Sequence, residues 1–450
     1  MRIQKKTLFL IISIFISLIF SSYFWKFIKL PYQEINIIGV YSKNQYHAAN
    51  DIIRYIFFIL TPVSVFLILQ IYFEKFSIKK AFNQIQISQD LLDDKDLSNK
   101  LIKFLVILFI FLEFFSTDFT TTQLDLFHEG QRLSSAYKSF LDSSLWSGSY
   151  VTVGIFYETL SAKLIWQLFD HQSIGLMRFA DRIYILICKI LLVLIIFKIS
   201  KFSNLKSFYK EFFIVFTSLI LTIYLFDYHT ERNDAEYLLF RELPVLLLSY
   251  LFFEIISKKN SNKFLIILIG VISLSSMLWS IDRGIVCNLL IFFILFYFLL
   301  TKQFNNMIIL FTSIIFCWIV AKFLLGNEFD FFMQNTLSLL KEINYIHGVI
   351  HVTPFSSEPE SMRASKIMLA VVFCLIMSLN LFFKKNDFSV QFKLAMLFLA
   401  ILTFLTYGYN LGRSGGVHLK EVFGYSVIFI VVFIFYTFLN FISKKNISFL

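Results

Sequence analysis

A short polar segment combines acids and a histidine beside a strongly apolar stretch. It runs from Asp118 to Gly130 and directly follows the apolar residues 101–117. Carboxylates in such a segment can accept a proton from a hydroxyl group that attacks an electrophilic carbon. Because the segment emerges from an apolar run, its position fits chemistry on a lipid-attached substrate at a membrane surface.

The segment also has the residue types of a cation site. If a helix begins at Asp125, Asp125 and Glu129 lie on one face, and His128 lies beside Asp125. Hard oxygen ligands of this kind suit Mg²⁺ or Mn²⁺ bound together with a substrate phosphate. The alternative is an N-cap role for Asp125, with His128 and Glu129 in solvent at the membrane surface.

The elements that must position this segment are membrane helices. Of the 450 residues, 58% are hydrophobic and 59 are Phe, and the mean hydropathy is +0.73. These values lie outside the range of soluble domains and predict an all-α polytopic membrane protein. Apolar runs of membrane-spanning length predict about twelve transmembrane helices, at 7–25, 52–72, 101–117, 183–200, 211–227, 237–256, 264–281, 284–301, 307–325, 366–383, 391–408 and 422–442.

The domain organisation predicted from these spans is a single transmembrane domain over 1–450. It has two excursions on the outer side, 118–182 and 326–365. Two segments of the first excursion, 133–141 and 151–169, are expected to be helices that lie in the outer interface. Aromatic side chains are expected to anchor them there, namely Trp146, Tyr150, Tyr157 and Trp166.

Lysines in alternate loops set the orientation, because basic residues favour the cytoplasmic side. Both termini are therefore predicted to be cytoplasmic. Of the ten Arg, only Arg2 is cytoplasmic in this topology, and all seven His lie on the outer side. The guanidinium group matches phosphate geometry, so the outer Arg set fits either phosphate binding or the greater length of the outer loops. Much of the net charge of +11 comes from the lysines that set the orientation, so this charge does not indicate nucleic-acid binding.

Four Cys lie far apart inside predicted helices, which argues against disulfides and zinc sites. Frequent Lys, Asn, Ile and Phe are typical of an AT-rich genome and favour a bacterial inner (plasma) membrane.

Two further groups of polar residues are candidate binding sites. Residues 227–236 precede Arg241 and Glu242, which the pattern places inside the next helix, where an unpaired charge is costly. Arg232 and Arg241 are thus candidates to hold a lipid-linked phosphate, and an internal ion pair of Arg241 is the alternative. The glycine-rich stretch 407–420 offers Arg413, His418 and Lys420 for phosphate, or is a hairpin between spans.

Two other outer features have simpler explanations. Asp282 and Arg283 form the whole of a tight predicted turn, which a salt bridge would support. His347 and His351 have HxxxH spacing, but acceptor recognition or an ordinary loop is favoured over a metal site.

The arrangement resembles the GT-C superfamily of membrane glycosyltransferases. The resemblance rests on a transmembrane helix that delivers acidic residues into a large outer loop, followed by interfacial helices and many further spans. It implies transfer of a sugar from a polyprenyl-phosphate donor to a glycan, lipid or protein acceptor. It also implies a catalytic Asp or Glu in that loop, here Asp118, Asp125 or Glu129.

The resulting hypothesis is a cell-envelope glycosyltransferase with Asp125 as base and Asp118 or Glu129 as metal ligand or second carboxylate. Arg241 and Arg413 would hold the donor phosphate. A lipid-linked glycan polymerase or ligase is the alternative within the same chemistry. A multi-pass transporter is the alternative of another class, and it would need charges near mid-membrane, which only Glu113 and Lys189 approach.

Overall fold

The computed structural model describes residues 5–28, 48–74, 97–116, 126, 128–149, 151–226, 240–258, 262–346, 356–383, 388–411 and 416–445. All regular structure in these ranges is helical. The prediction of an all-α fold is confirmed for these residues.

Each of the twelve predicted spans coincides with a helix. These are α1 (Lys5–Phe24), α2 (Ala48–Glu74), α3 (Leu97–Ser116), α6 (Ile174–Lys201), α7 (Ser207–Leu225), α8 (Leu243–Ile256), α9 (Lys263–Trp279), α10 (Ile281–Leu300), α11 (Phe304–Leu325), α13 (Pro359–Phe383), α14 (Val390–Leu411) and α15 (Gly416–Lys445). Within the described ranges, nine helical segments are long and apolar enough to cross a membrane, which indicates a multi-pass membrane protein. The helices α3, α8 and α9 are not among the nine, so the count of twelve spans stays a prediction.

Both excursions contain helices. The first holds α4 (His128–Asp142), a π-helical turn (Phe156–Leu160) and α5 (Ser161–Phe169). The second holds α12 (Asn327–Ile346), which the sequence interpretation treated as loop. The helices predicted in the first excursion are therefore present, and their location in the membrane interface stays a prediction.

The helix α6 begins at Ile174, well before the predicted start at residue 183. Ser173 caps it, because its side-chain oxygen accepts a hydrogen bond from the Leu176 amide at 3.1 Å. Three charged residues then lie within its first turns: Arg178, Asp181 and Arg182. Each contacts an oppositely charged side chain. Because their charges are paired, these residues can belong to a buried helix, although hydropathy assigned them to a loop.

Two other boundaries differ from the sequence interpretation. Arg241 and Glu242 do not lie inside a long helix but in a short 3-10 turn, Phe240–Glu242, which precedes α8. Asp282 and Arg283 are not a turn, because Ser280 alone separates α9 from α10 and both residues belong to the first turn of α10.

The contacts divide the chain into two compact units. The first comprises Met1–Ser88 and Lys341–Ile430. Within it, the Tyr55 ring of α2 stacks on Tyr407 of α14 at 4.6 Å between centroids, and its hydroxyl donates to the Phe404 carbonyl at 2.8 Å. The prediction of one transmembrane domain stays a prediction.

The second unit comprises Gln89–Leu340 and Val431–Leu450, and it contains the first excursion. Here α6 packs against α3, α7 and α8, while α9 packs against α10 and α11. Buried apolar side chains fill the α3–α6 contact, including Leu105, Phe109, Val193 and Phe197. A smaller cluster of Ala136, Ala162, Trp166 and Met177 joins α4, α5 and α6. The helices of the first excursion are thus seated on the beginning of α6.

The backbone of the segment that connects α4 to the π-helical turn contacts the backbone of the α9–α10 junction. The Ile281 amide donates to the Val153 carbonyl at 2.6 Å. A methyl group at Gly154 would lie 2.7 Å from both the Ser280 Cα and the Trp279 carbonyl carbon. Only glycine fits this approach without a shift of backbone.

Gly154→Ala is therefore expected to destabilise the second unit by about 1–3 kcal/mol, because backbone atoms cannot rotate away from the added methyl group. The measurement is the thermal unfolding midpoint of the detergent-solubilised chain. Gly130→Ala is the matched control, since no atom lies within 4 Å of the added methyl group. Equal midpoints for the two variants would contradict the close approach.

Candidate functional site

Most of the predicted site residues lie where the structure gives no side-chain contacts. Asp118, Asp125, Arg232 and Arg413 are outside the described residues, as are His347, His351 and Tyr150. His128, His418 and Lys420 lie on described helices, but their side chains are outside the description. The predicted site residues with described contacts are Glu129 and Arg241.

Glu129 forms a two-point ion pair with Arg178 of α6. The Arg178 Nε donates to Oε1 at 2.7 Å, and a terminal nitrogen donates to Oε2 at 2.8 Å. Glu129 is buried and lies in the first turn of α4. Both carboxylate oxygens are thus engaged by Arg178, and this fixes the start of α4 on α6.

Arg132, one turn further along α4, is held more deeply. Its two terminal nitrogens donate to the two oxygens of Asp181 at 2.7 Å each, and its Nε donates to the Tyr157 carbonyl at 3.0 Å. The guanidinium also lies 4.9 Å from the Tyr157 ring centroid. Burial lowers the pKa of Arg132, but the attraction and hydrogen bonds of Asp181 outweigh it and hold the pKa above its ordinary value.

A third charged contact lies deeper in the unit. Lys189 of α6 forms a fully buried ion pair with Glu113 of α3, and Arg182 lies 3.8 Å from the same carboxylate. Lys189 is fifteen residues after Ile174, which is about 22 Å along the helix. The two charges that the sequence places nearest to mid-membrane are therefore in contact with each other.

A fourth charged group joins the 3-10 turn before α8 to the first turn of α10. Arg283 is fully buried, and its Nε donates to Glu242 at 2.6 Å while its Nη1 donates to Asp282 at 2.8 Å. Arg241 lies 3.9 Å from Asp282. The predicted salt bridge of Asp282 and Arg283 is present. Arg241 contacts a carboxylate, as the alternative of an internal ion pair expects, and its role in phosphate binding stays a prediction.

Glu158 is a buried carboxylate that the sequence interpretation did not select. It lies on the π-helical turn and accepts hydrogen bonds from the Thr152 amide at 2.8 Å, the Gln131 side chain at 2.6 Å and the Thr152 hydroxyl. Burial raises its pKa, while the bonds from Thr152 and Val153 and the attraction of Arg132 oppose the rise. Single π-helical turns are frequent at functional sites.

Aromatic rings fill the space between these charged groups. Phe156 stacks on Trp279 at 4.0 Å between centroids, and Tyr157 stacks on Phe240 at 4.7 Å. Tyr184 of α6 contacts Phe240 and Trp279. The π-helical turn, α6 and the α9–α10 junction therefore meet through a shared set of rings.

The predicted interfacial anchors Trp146 and Trp166 face the protein. Trp146 is buried against Phe332 of α12, at 5.0 Å between centroids. The Trp166 indole donates to the Ser173 carbonyl at 2.9 Å. Both indoles are buried within the protein, so this part of the anchor prediction is wrong. The apolar side chains that α5 exposes are Leu164, Leu168 and Phe169.

Among the described residues, no group of three His, Cys, Asp or Glu side chains lies close enough to hold a metal ion. Glu129 is held by Arg178, and Asp125 is outside the described ranges. The metal site at Asp125 and Glu129 therefore stays a prediction.

No family model, curated protein or solved structure matches the chain.

Sequence reasoning missed Asp181 and Glu158 because neither stands in a cluster of acids. A signal was present for Asp181. An acid between Arg178 and Arg182 at helical spacing requires a partner when it is buried. For Glu158, a carboxylate in an otherwise apolar and aromatic run offered the same signal.

Proposed function

We propose that the protein is a glycosyltransferase of a bacterial inner membrane, with cytoplasmic termini and its site on the outer face. It would transfer a sugar from a polyprenyl-phosphate donor to a glycan, lipid or protein acceptor. The proposal combines the GT-C-like order of elements with the charged contacts of the first excursion.

One observation supports this function above the others. The buried ion pair Arg132–Asp181 and the partly buried pair Glu129–Arg178 fix the first turns of α4 on α6. Asp125 lies three residues before α4, so the acidic segment leads directly into a helix that cannot move freely. Catalysis by a general base requires such fixed placement relative to the substrate.

In the proposed reaction, the acceptor hydroxyl oxygen attacks the anomeric carbon of the donor sugar and transfers its proton to Asp125. The bond between the anomeric carbon and the phosphate oxygen breaks, and the polyprenyl phosphate leaves with that electron pair. Arg241 would hold its phosphate, and His128 and Arg232 would contact the substrates. The substrate-binding roles of Arg413, His418 and Lys420 stay predictions from the sequence. Asp118 would be the second carboxylate. For Glu129 to act as a second carboxylate or a metal ligand, it would have to exchange its contact with Arg178.

Replacement of Asp125 tests the proposal. Asp125→Asn is expected to lower transfer from a radiolabelled polyprenyl-phosphate sugar by about 100-fold or more, because an amide cannot accept the proton. The measurement is turnover by the purified chain in detergent or vesicles.

Asp170→Asn is the matched control within the same excursion. Asp170 is exposed and has a positive φ of 49°, a conformation that Asn tolerates well, so transfer should be unchanged. Normal transfer by the Asp125 variant would remove Asp125 as base.

The product of the same assay separates the alternatives. Growth of a lipid-linked glycan by whole repeat units would favour a polymerase or ligase. Uptake of solute into vesicles, with no transfer activity, would favour a transporter that uses the buried Glu113–Lys189 pair.

A further inference from the structure

Glu158 is a buried carboxylate that accepts hydrogen bonds through both of its oxygens. Its side chain is 3% exposed, and all of its hydrogen-bond donors are neutral groups. Removing a carboxylate from water is costly unless a charged partner compensates for the lost hydration. A glutamine at 158 would avoid this cost, so the position is not optimal for stability.

The donors of Glu158 come from two different parts of the second unit. Thr152 belongs to the segment that the α9–α10 junction holds through Val153, and the Asn335 side chain holds the neighbouring Val151 backbone at 2.7 Å and 3.2 Å. Gln131 lies on α4, two residues after Glu129. The carboxylate therefore joins a firmly held segment to the first turn of α4.

A carboxylate can accept all three of these hydrogen bonds at once, which an amide cannot. Oε2 accepts from the Thr152 amide, while Oε1 accepts from Gln131 and from the Thr152 hydroxyl. An amide has only one acceptor oxygen. If that oxygen keeps the Thr152 amide, its NH₂ group faces the NH₂ group of Gln131 as the structure orients it, and the contact with α4 has to be rebuilt by a turn of the Gln131 amide.

We propose that Glu158 is a positioning residue, which holds the start of α4, and with it the acidic segment, in the geometry that transfer requires. This inference rests on the proposed transferase function. Glu158 does not contact the reacting atoms. It acts through Gln131.

The charged groups around Glu158 are consistent with this role. Arg132 of α4 attracts the carboxylate but donates its own hydrogen bonds to Asp181, Ser161 and Tyr157. Glu129, also on α4, is paired with Arg178. Lys163 of α5 donates to Ser139, and α9 has no ionisable residue after Lys263 until its end at Trp279. The carboxylate is thus held mainly by neutral donors.

The direction of the pKa shift sets the sign of the stability effect. The pKa of Glu158 is raised in the folded state, so folding favours the protonated form. Stability from this group is gained as the pH falls through the raised folded pKa and is absent at higher pH. Glu158→Gln, which is neutral at every pH, is therefore expected to leave the thermal midpoint at neutral pH equal or higher.

Activity and stability should consequently separate in this variant. Glu158→Gln is expected to lower kcat by about 10- to 100-fold, because a small displacement of the acidic segment misplaces the base. KM for the donor should change less than twofold. Gln131→Leu removes the same contact from the other side and should lower kcat similarly. A loss of kcat only in Glu158→Gln, or a joint loss of kcat and thermal midpoint, would overturn the positioning role.

A spin label on α4 tests the inference independently of transfer. Gly130 has open space around its Cα, so Gly130→Cys can carry the label in a Cys317→Ser background, since the other three Cys are buried. Label mobility at residue 130 should rise in both Glu158→Gln and Gln131→Leu. It should stay unchanged at a Tyr137→Cys control further along α4.

Unchanged mobility at residue 130 would overturn the inference. Raised mobility supports it even if the wild-type chain transfers no sugar, and that second result would count against the proposed function alone.

Discussion

Asp181→Asn is expected to destabilise the second unit by about 3–5 kcal/mol, the usual cost of leaving one member of a buried ion pair without its partner. The side chains of Arg132 and Asp181 are 4% and 7% exposed. The guanidinium would keep its charge in the variant, because deprotonation of arginine is not accessible. The measurement is the thermal or denaturant unfolding of the solubilised chain, followed by circular dichroism.

Asp142→Asn is the control for this prediction. Asp142 also pairs with a basic residue, Lys138 at 3.1 Å, but both side chains are largely exposed, and such surface pairs contribute little. The double variant Arg132→Met with Asp181→Asn should recover part of the loss, since no buried charge is left uncompensated. A single Asp181 variant as stable as the Asp142 control would show that the pair does not hold α4 on α6.

Arg283→Met is expected to have an effect of similar size, about 3–5 kcal/mol, on the contact between α8 and α10. Arg283 is fully buried, and it donates to Glu242 and Asp282. Its removal leaves two carboxylates close together, with Arg241 as a weaker partner at 3.9 Å from Asp282. The loss should appear in the same unfolding measurement.

Lys322→Met is the matched control, because Lys322 forms an exposed ion pair with Asp330. Its removal should change the unfolding midpoint little. If Arg283→Met were no worse than Lys322→Met, the buried group could not be what joins the two helices. Addition of Glu242→Gln to Arg283→Met should recover part of the lost stability, since it removes one of the two acids that Arg283 contacts.

These ion pairs have a common consequence for the proposed function. The first excursion is held by ion pairs to two residues of α6, Arg178 and Asp181, and not by apolar packing alone. A rigid support of this kind is what a base in the adjoining acidic segment requires, because misplacement by a small distance is costly in rate. The ion pairs Glu129–Arg178 and Arg132–Asp181 therefore place α4, while Asp125 and Asp118 are left as the groups proposed for chemistry.

Hydropathy along the chain was sufficient for the helices themselves. Each predicted span coincides with a helix, because a run of apolar residues of membrane-spanning length has few alternatives to an intrasegment hydrogen-bonded helix. It also placed helices in the first excursion. It was less reliable where charge interrupts the pattern, as at the start of α6 and the 3-10 turn before α8.

Only the tertiary structure shows which charged side chains pair with each other. The sequence shows that Arg178, Asp181 and Arg182 are close together, but their partners Glu129, Arg132 and Glu113 come from other helices. The sequence likewise did not determine whether Trp146 and Trp166 face the membrane interface or the protein interior. An amphipathic ring can lie at an interface or find a polar partner within the fold.

The acidic segment at 118–130 shows the same division. Composition and order determined that it follows an apolar helix and leads into another helix, because hydropathy and helix signals are local. The engagement of Glu129 by Arg178, and the support of α4 by Glu158 through Gln131, depend on residues far apart in the chain. Such contacts form only when the helices pack, and for that reason the sequence alone determined the helices and the fold decided which of their charges are held.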